Sequence, residues 1–508
     1  MEEHDSRSEA TGPGLPLVAG MGTYAARPAI LDDDGAHTYA ALLAASARVA
    51  SALLDGAEDL GEARVAFMAP PGFGYVAVLL GIWRAGGVAV PLCLSHPPPE
   101  IAYVLDDTEA ALLVAHPDYE AVLREAAGTR EARLLLLADA LDAAPSPLPD
   151  VDPARRALIL YTSGTTGRPK GAVSTHHGLA AMVEALLAAW GWTADDRILH
   201  VLPLHHTHGI VNVLLCALAA GATCEMLPRF DAEAVWQRFV AHPLTLFMAV
   251  PTIYHRLIQA WEAASEEERR RRSAACRGMR LMVSGSAALP VRVLERWEQI
   301  SGHRLLERYG MTETGMILSN PLRGERRPGT VGRPLPGIAV RLAGEDGAEI
   351  TGEGAAGEVQ VRGPSVFREY WQRPDATAEA FTDDGWFRTG DVAVVEDGYY
   401  RLLGRRSVDI IKTGGEKVSA LEIEEVLRGH PAIGECAVVG VPDAEWGERV
   451  CAAVVPAGGG LTLEALRAWA KDRLAPFKVP SRLRIVEDLP RNAMGKVTKP
   501  AVRALFDG

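Results

Sequence analysis

The sequence predicts an α/β protein: a large N-terminal domain of two mostly parallel α/β sheets with a small β subdomain, then a mobile C-terminal α+β domain. Three observations carry this. Short β-rich runs are followed by helix-period segments along the first part of the chain; after about Pro336 the texture changes to short alternating strands; and a compact segment with helices and strands of its own follows Arg405. The length agrees, since 508 residues at roughly 100–200 residues per domain make about three structural units.

Taken in order, Val65–Pro70 reads as a strand, Tyr75–Ala85 as a helix and Gly86–Leu92 as the next strand. Leu112–His116, Arg133–Leu137, Ala157–Gly164, Thr223–Pro228, Leu244–Pro251 and Met279–Gly285 continue the theme. Strand, helix, strand in this order implies parallel sheets with covering helices. The runs IAVRL, GEVQVRG, DGWFRTGD and DGYYRLLGR, separated by turn residues, predict the antiparallel β subdomain. Beyond it lie amphipathic helices at Ala420–Arg428 and Leu463–Arg473 and strands at ECAVVGV and VCAAVVP. The expected boundaries are 15–403 for the N-terminal domain, with its β subdomain at about 337–403, and 404–508 for a module hinged near Gly404.

Composition narrows the function. Hydrophobic residues make up 48% and charged residues 23%, and no apolar run approaches the roughly 20 residues of a membrane span, so a soluble chain without a membrane partner is expected. The start, MEEHDSRSEATGPG, has the make-up of neither a secretory nor a transit signal and reads as a short disordered lead-in. Six cysteines without CxxC spacing argue against a zinc site and a disulfide framework, which fits a reducing cytoplasm. A net charge of −13 excludes a nucleic-acid surface, and the one basic cluster, within Glu267–Arg272, reads as a solvated helix end.

The chemistry begins at Tyr161–Gly171, YTSGTTGRPKG. After an apolar strand, close-spaced glycines let backbone N–H groups approach an anion, hydroxyls add donors and Lys170 adds charge, as a polyphosphate cradle requires. It is not a Walker A loop, because Gly171 rather than Ser or Thr follows Lys170.

This loop is similar to the signature of the adenylate-forming superfamily of acyl-CoA synthetases, peptide-synthetase adenylation domains and luciferases. Further matches stand in the family's order: RYGMTET (Arg308–Thr314), GEVQVRGP (Gly357–Pro364), WFRTGDV (Trp386–Val392), LLGR (Leu402–Arg405), IKTGGEKV (Ile411–Val418) and LPRNAMGKV (Leu489–Val497). The resemblance implies ATP, Mg²⁺ and coenzyme A as reactants, and two steps, an acyl-adenylate followed by a thioester. It places Thr162, Ser163, Gly164, Thr165, Thr166, Gly167 and Lys170 on the phosphates, Thr312 on the α-phosphate and Glu313 on Mg²⁺. Nucleoside contacts fall to Gly285, Ser286, Ala287, Arg308, Tyr309, Gly310 and Met311, with Asp391 on the ribose hydroxyls and Arg405 beside it. Lys496, with Thr312, Glu313 and Thr162, is implied in catalysis: its ammonium bridges substrate carboxylate and α-phosphate, an encounter of two anions that the site must neutralise.

By the same resemblance the C-terminal domain rotates about a hinge within Arg406–Asp409, alternating Lys496 with a thiol face carrying Lys412, Gly414 and Gly415. The runs HHTHGIVNVL, LPRFD, VPTIYHRL, SGSAALP and ERYGMTET look nearest to malonyl-CoA synthetases. Malonate, with methylmalonate beside it, is then the expected acid, touched by His206, Thr207 and Met311. A buried distal carboxylate needs a cation, and Arg280 or Arg256 is expected to supply it; Arg280, Met282 and Ser284 share one face if their segment is a strand. His205, His206 and His208 line the pocket in this reading rather than hold zinc. The alternatives are a synthetase for a short monocarboxylate or aryl acid and, in another class, an inactive nucleotide-binding scaffold, against which Lys496 and Glu313 both speak.

Overall fold

The computed structural model describes residues 14–162, 169–413, 416–443, 446–458, 460–492 and 495–506. The N-terminal lead-in up to residue 13, the loop residues Ser163, Gly164, Thr165, Thr166 and Gly167, and Gly414 and Gly415 lie outside them.

Two large sheets form the N-terminal domain. In the seven-stranded sheet, Arg64–Met68 sits between Val88–Pro91 and Leu112–Ala115, and all three run parallel. Their near-continuous burial is what a strand covered on both faces requires. The nine-stranded sheet has a parallel centre of Thr223–Met226, Arg197–His200, Leu246–Ala249, Leu281–Ser284 and Leu306–Met311. Its strand Leu306–Met311 then turns back antiparallel into Gly315–Ser319. Helices cover these sheets, and their ends follow local chemistry. His176–Trp190, for example, starts at Thr175, whose hydroxyl accepts the Gly178 N–H, and stops at Gly191 in the left-handed region.

A four-stranded antiparallel sheet, built from Ala339–Ala343, Gly357–Arg362, Phe387–Glu396 and Tyr399–Arg405, is the expected β subdomain. Its last strand runs to Arg405, two residues past the expected boundary. Residues 406–409, the expected hinge window, form the turn between this sheet and the five-stranded C-terminal sheet that opens with Ile410–Thr413. The C-terminal domain has its own apolar core around Ile423, Leu427, Val438, Val454 and Leu466. Its helix Ala420–Arg428 falls where the sequence places it, because Ser419 caps the Glu422 N–H.

Two expectations change. The basic cluster lies inside the helix Glu266–Arg277 rather than at its end, and Arg272 is buried, paired with Glu233 and Glu268. Arg280 precedes the strand Leu281–Ser284 instead of lying in it. Its guanidinium grips Asp196 at 2.6 and 2.7 Å and donates to the Trp190 carbonyl at 2.8 Å. That bidentate pair holds the Asp196 carboxyl below the usual carboxylate range although burial alone would raise it. Arg280 is therefore engaged in structure, not turned toward an acyl pocket.

Among the described residues no helix is long and apolar enough to cross a membrane. The six cysteines are free.

Candidate active site

Three segments build the site. The first is the antiparallel pair of strands Arg156–Thr162 and Lys170–Thr175, which flank the loop residues 163–168 that lie outside the described residues. Thr162 and Lys170 are register partners at its base, with the Thr162 hydroxyl donating to the Lys170 carbonyl at 3.4 Å. The Lys170 ammonium lies 5.0 Å from the centre of the Tyr370 ring.

The second, the turn 312–314, joins Leu306–Met311 to Gly315–Ser319. A Cβ at Gly310 would meet the Gly315 carbonyl oxygen at 2.2 Å, so only glycine lets the hairpin close. Glu313 is buried in this turn, and Tyr370 donates its hydroxyl to Glu313 Oε1 at 2.8 Å. Burial pushes its carboxyl up, and no lysine or arginine pairs with it among the described residues. A buried carboxylate without a paired cation has the chemistry of a Mg²⁺ ligand, since Mg²⁺ takes one or two carboxylates and fills its shell with phosphate oxygens and water. No cluster of three metal-binding side chains occurs among the described residues, His205, His206 and His208 included.

The third segment, the strand Phe387–Glu396, presents Asp391 opposite Arg405, next to a register shift at Val392/Ala393. One carboxylate oxygen accepts from Tyr309 at 2.5 Å and the other from Arg405 Nε at 3.1 Å. Arg405 is fixed in turn by the Thr389 carbonyl at 3.2 Å. Asp391 is thus aimed by two neighbours and keeps acceptor capacity for a pair of hydroxyls.

Beside these segments lie several buried polar groups. Leu306–Met311 alternates its side chains across the sheet, so Arg308 points away from Tyr309. It lies beneath Gly285, where a Cβ would come within 2.6 Å of the guanidinium. Arg308 is 3% exposed, yet no carboxylate pairs with it among the described residues; Nη2 donates to Ser286 Oγ at 3.3 Å and Nε has no partner. Burial pushes its pKa down to about 9. Ser286, itself in the left-handed region at φ 68°, meets His208 Nδ1 at 3.2 Å. His208 Nε2, His206 Nε2, the Ser284 hydroxyl and both amide atoms of Asn212 are buried without partners. Burial, then the Arg308 charge, keeps the His208 imidazole neutral. His208 and Asn212 belong to a π-helix, His208–Leu215, a widened turn that recurs at functional sites.

The structure thus brings Thr162 and Lys170, Tyr309, Gly310, Met311, Thr312 and Glu313, and Asp391 with Arg405 onto three segments linked through Tyr370 and the Tyr309–Asp391 hydrogen bond. Arg308 and Ser286, both expected at the nucleotide, meet each other, and Ser286 meets His208, which follows His206 and Thr207 in the chain. Ala287 follows Ser286 in an exposed loop, and Arg256 is exposed on the helix Pro251–Ala263. Lys412 is exposed on Ile410–Thr413. Lys496 is exposed as well, its backbone N–H bonded to Asn492 Oδ1 at 3.0 Å, and among the described residues its ammonium makes no hydrogen bond to the three segments. The C-terminal domain is held in this pose by Glu425, which accepts the Val291 N–H at 3.0 Å, and by Arg292, which donates to the Arg428 and Gly434 carbonyls.

A fold of two large, mostly parallel sheets, an antiparallel β subdomain and a last domain with its own core, with Asp391 held between Tyr309 and Arg405, is that of a nucleotide-dependent adenylating class. The chain belongs to the AMP-binding enzyme family: the family model matches residues 19–371, and that of the AMP-binding enzyme C-terminal domain matches 422–496. It is 46% identical to the mitochondrial malonate–CoA ligase of Xenopus laevis, over 99% of this chain and 94% of that one. Among solved structures it resembles the ATP-bound MatB of Rhodopseudomonas palustris, at 36% identity and a TM-score of 0.89, with 97% and 99% of the chains covered. A malonyl-CoA ligase in ternary product complex with methylmalonyl-CoA and AMP matches at 40% identity and a TM-score of 0.70, covering 94% and 100%.

Proposed function

We infer that the chain is an ATP-dependent, AMP-forming acid–CoA ligase that makes malonyl-CoA from malonate. The observation that carries the choice of acid is Arg308, a buried guanidinium that among the described residues has no carboxylate partner and leaves its Nε without a hydrogen bond. Isolated buried charge is costly, and a second carboxylate on the substrate would relieve it where a monocarboxylate would not. Arg308 replaces Arg280 and Arg256 in this role, with Ser286 and His208 completing the grip. Thr207 and Met311 would border the carbon between the two carboxylates, where a methyl group distinguishes methylmalonate.

In the first step the free carboxylate attacks the α-phosphorus of ATP, and pyrophosphate leaves. Asp391 holds the ribose through its hydroxyls, Thr162 and Lys170 with the loop 163–167 hold the outer phosphates, and Thr312 lies toward the α-phosphate. Mg²⁺, bound at Glu313, would neutralise phosphate charge. Lys496 would enter from the C-terminal domain to bridge the approaching anions. In the second step the CoA thiol attacks the acyl carbonyl, AMP leaves and the thiol proton passes to solvent; Lys412, Gly414 and Gly415 would line the thiol's approach. Two poses of the C-terminal domain fit the comparisons: the TM-score is 0.89 against the ATP-bound relative and 0.70 against the product complex, although the latter is the more identical in sequence.

The test is pyrophosphate release with ATP, Mg²⁺ and CoA across malonate, methylmalonate, acetate, octanoate and benzoate. Malonate is expected to lead. Lys496→Ala should lower adenylation by about 10²–10³, the usual cost of one transition-state charge contact. Preference for acetate or benzoate would leave the ligase and remove the acid.

A further inference from the structure

Two helices face each other across the domain boundary, and each has an end that its own segment does not complete. Val291–Ser301, in the N-terminal domain, starts after Pro290, which has no side-chain oxygen to accept an N–H of the first turn. Ala420–Arg428, in the C-terminal domain, stops at Arg428, and the last carbonyls of a helix have no partner inside it. Each helix finishes the other. Glu425 accepts the Val291 N–H at 3.0 Å, while Arg292 donates Nη1 to the Arg428 carbonyl at 3.0 Å and Nη2 to the Gly434 carbonyl at 2.8 Å. The carboxylate thus sits at a helix N-terminus and the guanidinium at a helix C-terminus, the placement that both helix dipoles favour.

The same contacts lead to the loop of Lys496. Gly434 precedes Glu435, which pairs with Arg491, and Arg491 Nη1 donates to the carbonyl of Gly495, the residue before Lys496, at 2.9 Å. Arg491 and Val497 are bridged antiparallel across that loop. The N-terminal domain therefore reaches the lysine loop through Glu435 and Arg491. A further ion pair across the boundary, Lys417 with Glu345, has half or more of each side chain in solvent and holds little. The pose so held overlays the ATP-bound relative at a TM-score of 0.89 and the product complex at 0.70.

We propose that Arg292 and Glu425 are positioning residues for the first half-reaction: reciprocal helix caps that hold the C-terminal domain, and with it the Lys496 loop, in the adenylating pose. They part when the domain turns to admit the thiol. The inference rests on the ligase reading above and adds to it the contacts that set how the two poses are populated. Arg292 is exposed and Glu425 is 38% exposed, so water takes over their partners once the clasp opens. The clasp is strong enough to choose a pose and weak enough to release it in every turnover.

The test separates the two half-reactions in the full-length protein. Rapid quenching gives the rate of malonyl-adenylate formation from ATP, Mg²⁺ and malonate without CoA, and then the rate at which the bound adenylate is consumed once CoA is added. Arg292→Ala should slow the first step about tenfold and leave the second unchanged or faster, and Glu425→Ala, on the other domain, should give the same split. Glu345→Ala, which breaks the solvent-exposed pair, should change neither step. Equal loss in both steps, or no loss in the first, overturns the proposal. A second readout needs no turnover: hydrogen exchange at the Val291 amide, read by mass spectrometry of the peptide that carries it, should quicken about tenfold in Arg292→Ala. An unchanged exchange rate overturns the proposal as well. Should the wild-type protein form no adenylate from malonate, the choice of acid fails, and the exchange measurement still decides the clasp.

Discussion

Glu424 in the C-terminal domain and Arg308 on the strand Leu306–Met311 are each 3% exposed, and their surroundings are opposite. Glu424 Oε1 accepts the Val438 N–H at 2.7 Å and pairs with Lys499, and Oε2 accepts from Arg428 at 3.1 Å. Every demand of that buried carboxylate is met from within. Among the described residues Arg308 has one side-chain hydrogen bond, to the Ser286 hydroxyl, and its Nε has none. Equal burial therefore says little about role. A buried charge that the chain itself satisfies holds the fold together, and one that it leaves unsatisfied is shaped for a visitor of opposite charge.

The largest test of this contrast is Arg308→Met. It should lower kcat/KM for malonate by about 10³ or more, because the distal carboxylate would be buried unpaired, while the melting temperature stays level or rises. Undiminished malonate turnover in the pyrophosphate assay would remove Arg308 from the acid site. Glu424→Ala should do the reverse, costing about 3 kcal/mol of stability in a denaturant titration through the stranded Arg428 and Lys499, with the malonate KM unchanged. Smaller still, Arg280→Met should cost about 1–3 kcal/mol and leave the malonate KM as it was.

The last pair also carries a pH signature. The folded Asp196 carboxyl sits below its ordinary value: burial raises it, and the Arg280 and Thr245 hydrogen bonds more than offset that. Such a group contributes stability that is fully present above its unfolded pKa, about 3.9, and is lost as pH falls through the lower folded value. The gap in melting temperature between wild type and Arg280→Met should therefore be constant from about pH 5 to 7 and narrow below about pH 4. A gap that widened toward acid pH would mean that the pair does not hold Asp196 ionised. Asp391→Asn is the mildest change, expected to raise the KM for ATP about tenfold by weakening one charged acceptor.

What the sequence disclosed follows the range of the interactions involved. The helix Ala420–Arg428, the central strands and the turn at 406–409 are set by local patterns of apolar spacing, capping and turn residues. The motifs also put Asp391 beside Arg405, a contact that the structure has. Arg280 misled because its partner, Asp196, lies 84 residues earlier and no local pattern joins them. Arg308 was read with Tyr309 because they share a motif, although period-two alternation along a strand already sends neighbours to opposite sides. The π-turn at His208–Leu215 depends on packing between distant segments and leaves no local mark.

The uncompensated guanidinium of Arg308 also bears on how long the enzyme lasts. A ligand that binds only the folded chain stabilises it by about 2.7 kcal/mol at a hundredfold excess over its Kd, so the unfolded fraction open to a protease shrinks about a hundredfold. When its dicarboxylate is scarce the chain is at its most perishable; when the acid accumulates, the same molecules are protected from degradation. Enzyme abundance would then rise with the supply of its own substrate, with no change in synthesis.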